Sequence, residues 1–182
     1  MFTYITSNVN KIKSATERLS KEGIEFRHES IDLVEIQSRD TNEIAHYKLK
    51  FASKQIKGAI LINDVEWRIP ALNGFPGPYA HDVFKWLDEK DILRLMNELK
   101  DRRIILNSTL GYKDNDTEII FNNEREGEIL KVASGIGKFN LDRIISFRAD
   151  KLSIAYCEDN SLEKHDDKSS AWDKFIEWYF KK

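Results

Sequence analysis

Over roughly the first hundred residues, strand-like runs alternate with stretches in which apolar residues recur every three or four positions; from Arg103 to Ala133 the apolar period drops to two. A period near 3.6 marks a helix with one buried face, and a period of two marks a strand. Phe2–Thr6 is a short run of β-formers, and Ser7 and Asn8 are N-cap types ahead of Lys11–Lys21, where Ile12, Ala15 and Leu19 form a stripe. Gly23 stops that helix, and Ile24–Ile31 reads as a second strand. Glu43–Lys57 predicts a helix with Ile44, Tyr47, Phe51 and Ile56 inward, ended by Gly58 before a short strand, Ala59–Ile62. Glu66–Ile69 reads as the start of another strand, Gly74–Tyr79 (GFPGPY) as a stiff turn and Val83–Leu99 as a helix. Three strands follow, Ile104–Tyr112, Glu118–Asn122 and Glu128–Ala133, the first two joined by a turn at KDND. Ser134–Lys138 (SGIGK) is a loop, and Ala171–Phe180 closes the chain as an amphipathic helix. The expected fold is α/β: an elongated mixed sheet with flanking helices and a β-rich second lobe forming a central cleft. One domain of 182 residues is expected, with approximate lobes 1–100 plus the C-terminal helix, and 101–160.

Charge narrows the partners. With 29 basic and 31 acidic residues the net charge is −2, which gives no whole-protein attraction to nucleic acid or anionic membrane. A phosphate ligand must therefore be captured by a local cluster, and no stable nucleic-acid or membrane partner is expected. The single cysteine, Cys157, excludes an intramolecular disulfide and any multi-cysteine metal site. The N-terminal residues carry no signal-peptide pattern, and no window approaches the roughly 18 apolar residues of a membrane span, so a cytoplasmic protein is expected.

Several residues could carry chemistry. Thr6–Lys11 (TSNVNK) puts small polar residues and Lys11 at a helix start, where free backbone N–H groups and the helix dipole favour anions. The same residues suit an ordinary capped helix with a solvated lysine. Glu35 follows the second strand and Asp64 ends the strand AILIND; such carboxylates can hold Mg2+, or can simply face solvent. Lys48 shares its helix with Lys50, Lys54 and Lys57, most of which must form a solvated face. The four histidines lack zinc-like spacing, and SGIGK lacks the spacing and Ser/Thr of a P-loop.

Taken together, these segments resemble the inosine-triphosphate pyrophosphatase family, the non-canonical purine NTP pyrophosphatases. TSNVNK is similar to that family's Thr-x-Asn-x-x-Lys phosphate-binding motif. DLVEIQS followed by NEIAHYK is similar to its metal-binding glutamate segment with a following lysine. AILINDVEWRIPALNGFPGPY is similar to its strand, acidic pair and Leu-x-Gly-x-Pro-Gly-x-Tyr turn, and order and gaps agree from Thr6 to Tyr79. Leu110–Ile129 resembles the following hairpin, and GIGKFNLDRIISF echoes the family's Phe-Gly-Tyr-Asp-Pro loop. The resemblance implies Mg-dependent hydrolysis of a nucleoside triphosphate to monophosphate and pyrophosphate by a homodimer. It implies that Asn8, Lys11 and Lys48 bind the triphosphate, that Glu35 and Asp64 hold Mg2+, and that Asp64 is also the base that activates water. Phe139 would stack on the nucleobase with Asp142 near its polar edge.

The departures cluster at the base-reading end. The family's near-terminal Ser-His-Arg is here Asp166-Asp167-Lys168, and Lys164 stands two residues short of the family's upstream lysine. The Phe-Gly-Tyr-Asp-Pro loop has become Phe139-Asn140-Leu141-Asp142-Arg143. At the phosphate end one of two adjacent acids is Asn63, Val65-Glu66-Trp67 follow Asp64, and Ser14 replaces a glutamate. Lys164 and Lys168 remain the available substrate-binding cations at the base. The expected function is NTP pyrophosphatase activity with altered base specificity; the rival is a catalytically weak or inactive nucleotide-binding or regulatory protein on the same scaffold.

Overall fold

The computed structural model describes residues 1–31, 33–137, 139–165 and 169–182, residue 140 by its backbone alone. The strands are β1 (Phe2–Ile5), β2 (Phe26–Glu29), β3 (Ile60–Ile69), β4 (Phe75–Gly77), β5 (Arg103–Lys113), β6 (Glu118–Ile129) and β7 (Ile145–Ser146). The helices are α1 (Val9–Lys21), α2 (Thr41–Ala52), α3 (Ala80–Trp86), α4 (Glu89–Leu95), α5 (Ile154–Asp159) and α6 (Ala171–Lys181). The strands form one sheet in the order β2-β1-β3-β5-β6-β7, with β4 paired to β3. β1 is parallel to β2 and β3, whereas β4 runs against β3 and β7 against β6. The fold is α/β, with a mixed sheet and flanking helices.

Contacts divide the chain into two compact units. The first holds Met1–Val65, Ser108–Asn123 and Ser169–Lys182; the second holds Glu66–Asn107 and Glu124–Lys168.

In the first unit the pleat sorts side chains into two cores. Phe2, Tyr4 and Leu61 point to one face, where Ala15 and Leu19 of α1 and Trp172 and Phe175 of α6 cover them. Ile5, Ile60 and Ile62 point to the other and pack on Ala45, Leu49 and Ala52 of α2. Phe175 is fully buried, with Phe2 and Tyr179 ring centroids 5.5 Å away. Truncating such a ring costs about 3–5 kcal/mol. Gly111 makes a close approach on the α2 face: a Cβ there would sit 3.0 Å from Ile62 Cγ1 and Leu49 Cδ1, so those side chains would have to give by a few tenths of an ångström. The second unit has its own core, in which Ile69, Phe84, Ile92, Met96, Ile104, Ile129 and Ile145 pack together.

Several boundaries differ from those read in the sequence. The helix expected over Val83–Leu99 is two, because Asp88 caps a new start: its side chain accepts from Lys90 N and Asp91 N, and Asp91 answers with a bond from Asp88 N. The runs 59–62 and 66–69 are one strand, as are 118–122 and the first part of 128–133, since β6 continues to Ile129. Leu130–Ala133 lies outside it. Part of the expected turn at GFPGPY is strand β4, which contains a cis Phe75–Pro76 peptide. The short α5 was not anticipated.

Candidate active site

α1 begins where its cap dictates. Asn8 is extended (φ −84°, ψ 110°), and its Oδ1 accepts from Asn10 N at 2.9 Å and Lys11 N at 3.2 Å. Lys11, in the first turn, sends Nζ to the Asn63 carbonyl at 2.9 Å and lies 3.8 Å from Asp64 Oδ1. Burial pulls the Lys11 ammonium below its ordinary value; the attraction of Asp64 opposes this, and the repulsion of Lys48 adds to it.

Lys48 separates from the other lysines of its segment by register. α2 buries Ile44, Ala45, Lys48, Leu49 and Ala52, one continuous face at helical spacing, while Lys50, Lys54 and Lys57 are exposed. Tyr47, expected inward, is exposed. The Lys48 side chain is 7% exposed, and its Nζ stands 2.6 Å from both Glu35 Oε1 and Asp64 Oδ2. The two carboxylates can thus be no farther apart than those contacts laid end to end. Burial alone would lower the Lys48 ammonium, but the charge and hydrogen bond of Asp64, then those of Glu35, outweigh it and raise the pKa.

Glu35 reaches in from an irregular segment and keeps a 60% exposed side chain. Asp64 is held from within β3, where its Oδ1 also accepts from Val65 N at 2.9 Å. The structure therefore gathers Lys11, Glu35, Lys48 and Asp64 from four separate segments of the first unit, two cations against two anions. Asn63 uses its carbonyl for Lys11, and its Oδ1 is buried without a hydrogen-bond partner among the described residues.

In the second unit, Glu66 is buried; its Oε1 accepts from Asn107 Nδ2 at 3.1 Å and lies 3.1 Å from Arg68 Nε. Phe139 is 39% exposed and meets Phe84 edge-on at 6.0 Å. Burial, and then the charge of Glu158, push the Asp142 carboxyl up to about 6, with Lys164 pulling the other way. Lys164 is itself ion-paired with Glu158, a partner the sequence did not reveal. Glu158, Asp159 and Lys164 line a cavity of about 690 Å³ together with Ile136, Gly137 and Cys157. Lys168 lies outside the described residues, as do Asp166 and Asp167.

The SGIGK loop serves as a brace. Ser134 Oγ lies 2.8 Å from Ser153 Oγ, Ile136 N donates to Asp159 Oδ2 at 2.7 Å, and Gly135 O accepts from Arg143 Nε at 3.1 Å.

Among the described residues no group of three or more His, Cys, Asp or Glu could hold a metal ion, and no helix is long and apolar enough to cross a membrane. The Glu35–Asp64 pair still suits one kind of ion. Mg2+ keeps several waters and is held by one or two carboxylates plus substrate phosphates. A two-carboxylate set beside two lysines fits that pattern and not an all-protein cage.

A family profile described as the Ham1 family matches residues 2–178. The chain is 29% identical over 177 residues to a dITP/XTP pyrophosphatase of Methanopyrus kandleri, covering 97% of this chain and 94% of that one. It is 33% identical over 143 residues to a dITP/XTP pyrophosphatase of Ignicoccus hospitalis, covering 78% and 76%. Its fold matches a HAM1 protein from Coxiella burnetii with a TM-score of 0.81 at 20% identity, covering 100% of both chains. The Staphylococcus aureus Ham1 protein gives 0.78 at 21% identity, covering 100% of this chain and 99% of that one.

Proposed function

The chain belongs to the Ham1 family, and on that premise we propose that it hydrolyses a nucleoside triphosphate to its monophosphate and pyrophosphate with Mg2+, with a base preference altered from that of its relatives. The observation that carries this reading is Lys48 Nζ at 2.6 Å from both Glu35 and Asp64, with Lys11 alongside. Bound Mg2+ would be held by Glu35 and Asp64 and would neutralise phosphate charge. Lys11 and Lys48 would offer the triphosphate two ammonium groups, each exchanging a contact it makes at Asn63, Asp64 or Glu35 for a phosphate oxygen. Asp64 has the carboxylate to orient a water for in-line attack and to accept its proton. Asn8, at the start of α1, is the third triphosphate-binding residue of this reading, where the helix dipole favours an anion.

In the same reading Phe139 is the stacking face for the nucleobase and Asp142 its polar edge. Lys164 is engaged by Glu158, which argues against its serving as a free donor to a keto oxygen. Lys168 is the remaining cation of that segment. The homodimer belongs to this proposal too: Trp86 is 85% exposed and offers a partner surface, whereas its neighbour Phe84 is core.

Asn63 favours a second reading, nucleotide binding without efficient turnover, because it replaces an acid and leaves a buried oxygen without a partner among the described residues. A panel of canonical and deaminated NTPs with Mg2+, with pyrophosphate and monophosphate detected separately, distinguishes the two. Turnover of any member to both products supports the enzyme, binding without turnover supports the second reading, and release of single phosphate contradicts the proposed cleavage.

A further inference from the structure

We infer that Lys48 is a counter-ion latch on the carboxylate pair: in the free protein its ammonium neutralises Glu35 and Asp64 together, so Mg2+ joins them appreciably only when a polyphosphate offers the lysine another partner. This rests on the reading of Glu35 and Asp64 as the metal ligands.

The register of α2 leaves the Lys48 ammonium little choice. Its stem lies on the face that buries Ile44, Ala45, Leu49 and Ala52, and the side chain is 7% exposed, so bulk water does not solvate the charge. An ammonium so placed needs anions, and Glu35 and Asp64 supply both at 2.6 Å. Glu35 is the adaptable member, on an irregular segment with a mostly exposed side chain. Asp64 is fixed within β3 and further compensated by Lys11 at 3.8 Å. Two cations thus balance two anions, and the cluster presents no net negative charge to a dication. A divalent ion brought to these carboxylates is also repelled by an ammonium already in contact with both, and that repulsion is strong where water is scarce.

A triphosphate reverses the balance. It brings several negative charges that can engage Lys11 and Lys48, and each contact it makes relieves a carboxylate. Metal and polyphosphate binding should then be positively coupled, each raising the affinity for the other by the same factor. Lys48 is a positioning residue for the metal in this account, in addition to any contact with phosphate.

The test is Mn2+ binding, as a probe for Mg2+, by the whole free protein, read by electron paramagnetic resonance without nucleotide. Lys48→Met keeps the stem and removes the charge, and it should bind Mn2+ at least about tenfold more tightly than wild type. Equal or weaker binding by the variant overturns the latch while leaving the metal site standing. Failure of both proteins to bind Mn2+ removes the metal site and the latch together. In wild type, where folding is not in question, the Lys48 side-chain NMR resonance should shift in step with the weak Mg2+ occupancy reached at high Mg2+ concentration. Saturation reported by the Val65 amide while the Lys48 resonance stays fixed would also overturn the latch.

Discussion

Replacing Asp64 by asparagine tests the proposed chemistry and its physical support in one variant. Asp64 uses both carboxylate oxygens, Oδ2 for Lys48 at 2.6 Å and Oδ1 for Val65 N at 2.9 Å. Asparagine has one acceptor oxygen and an NH2 that cannot accept, so one of these bonds is lost and the charge facing Lys11 and Lys48 disappears. Breaking a buried ion pair by removing one partner costs about 3–5 kcal/mol. Here Glu35 stays in contact with Lys48, so a loss of about 1–2 kcal/mol is expected, or about 2–8 °C in melting temperature for a chain of this size. The sign with pH follows from Lys48. Its pKa is raised in the folded protein, so the pair's contribution is fully present below the ordinary lysine pKa and fades only as pH rises through the higher folded value. The stability difference between parent and variant should therefore be flat through neutral pH and shrink as pH rises into strong alkali. Activity should fall further than stability: loss of a positioned general base lowers kcat by about 100-fold or more. Circular-dichroism melting at several pH values, with kcat at saturating Mg2+ and nucleotide, reads both. A variant with kcat within a few-fold of the parent and an unchanged melting temperature would remove Asp64 from both roles.

Two further substitutions probe the second unit. Asp142 titrates near 6 in the folded protein, so from the ordinary carboxylate range up to about 6 the folded state holds the extra proton and stability falls as pH rises. Asp142→Asn should be more stable than the parent by about 1 kcal/mol at pH 8 and lose that advantage near pH 4, by thermal melting; equal melting at pH 8 would count against a buried carboxylate. Gly135 has φ +80°, and a Cβ there would sit 2.5 Å from Tyr156 N and 2.6 Å from Ala155 C. Gly135→Ala should therefore cost about 2 kcal/mol or more, and a parent-like melting curve would show that the SGIGK brace yields easily.

Legibility varied with the physical signal available. The cap at Asn8 and the stripe of Ala15 and Leu19 were readable because α1 stands on local rules alone. The buried face of α2 is masked in the sequence: Tyr47 and Phe51 carry the apolar weight, whereas the face includes Ala45, Lys48 and Ala52, two of them small and one hiding an apolar stem under a charge. Asn63-Asp64 looked like the end of a strand because polar pairs commonly sit at turns. β3 runs on through them, with Lys11 and Lys48, from distant segments, partnering the Asn63 carbonyl and the Asp64 carboxylate. Likewise the polar stretch Asn122–Glu128 reads as a break, yet β6 passes straight through it. The convergence of Lys11, Glu35, Lys48 and Asp64 came from the order of the family-like motifs and from no spacing rule. The engagement of Lys164 by Glu158 depends on how α5 and the residues after it are placed, which no local pattern encodes.

Cleavage between the α and β phosphates can be read without reference to rate by 31P NMR of one nucleotide digested with Mg2+. With inosine triphosphate, or the best substrate of the panel, nucleoside monophosphate and pyrophosphate are expected in equal amounts, with no diphosphate intermediate. Nucleoside diphosphate appearing with orthophosphate would contradict it.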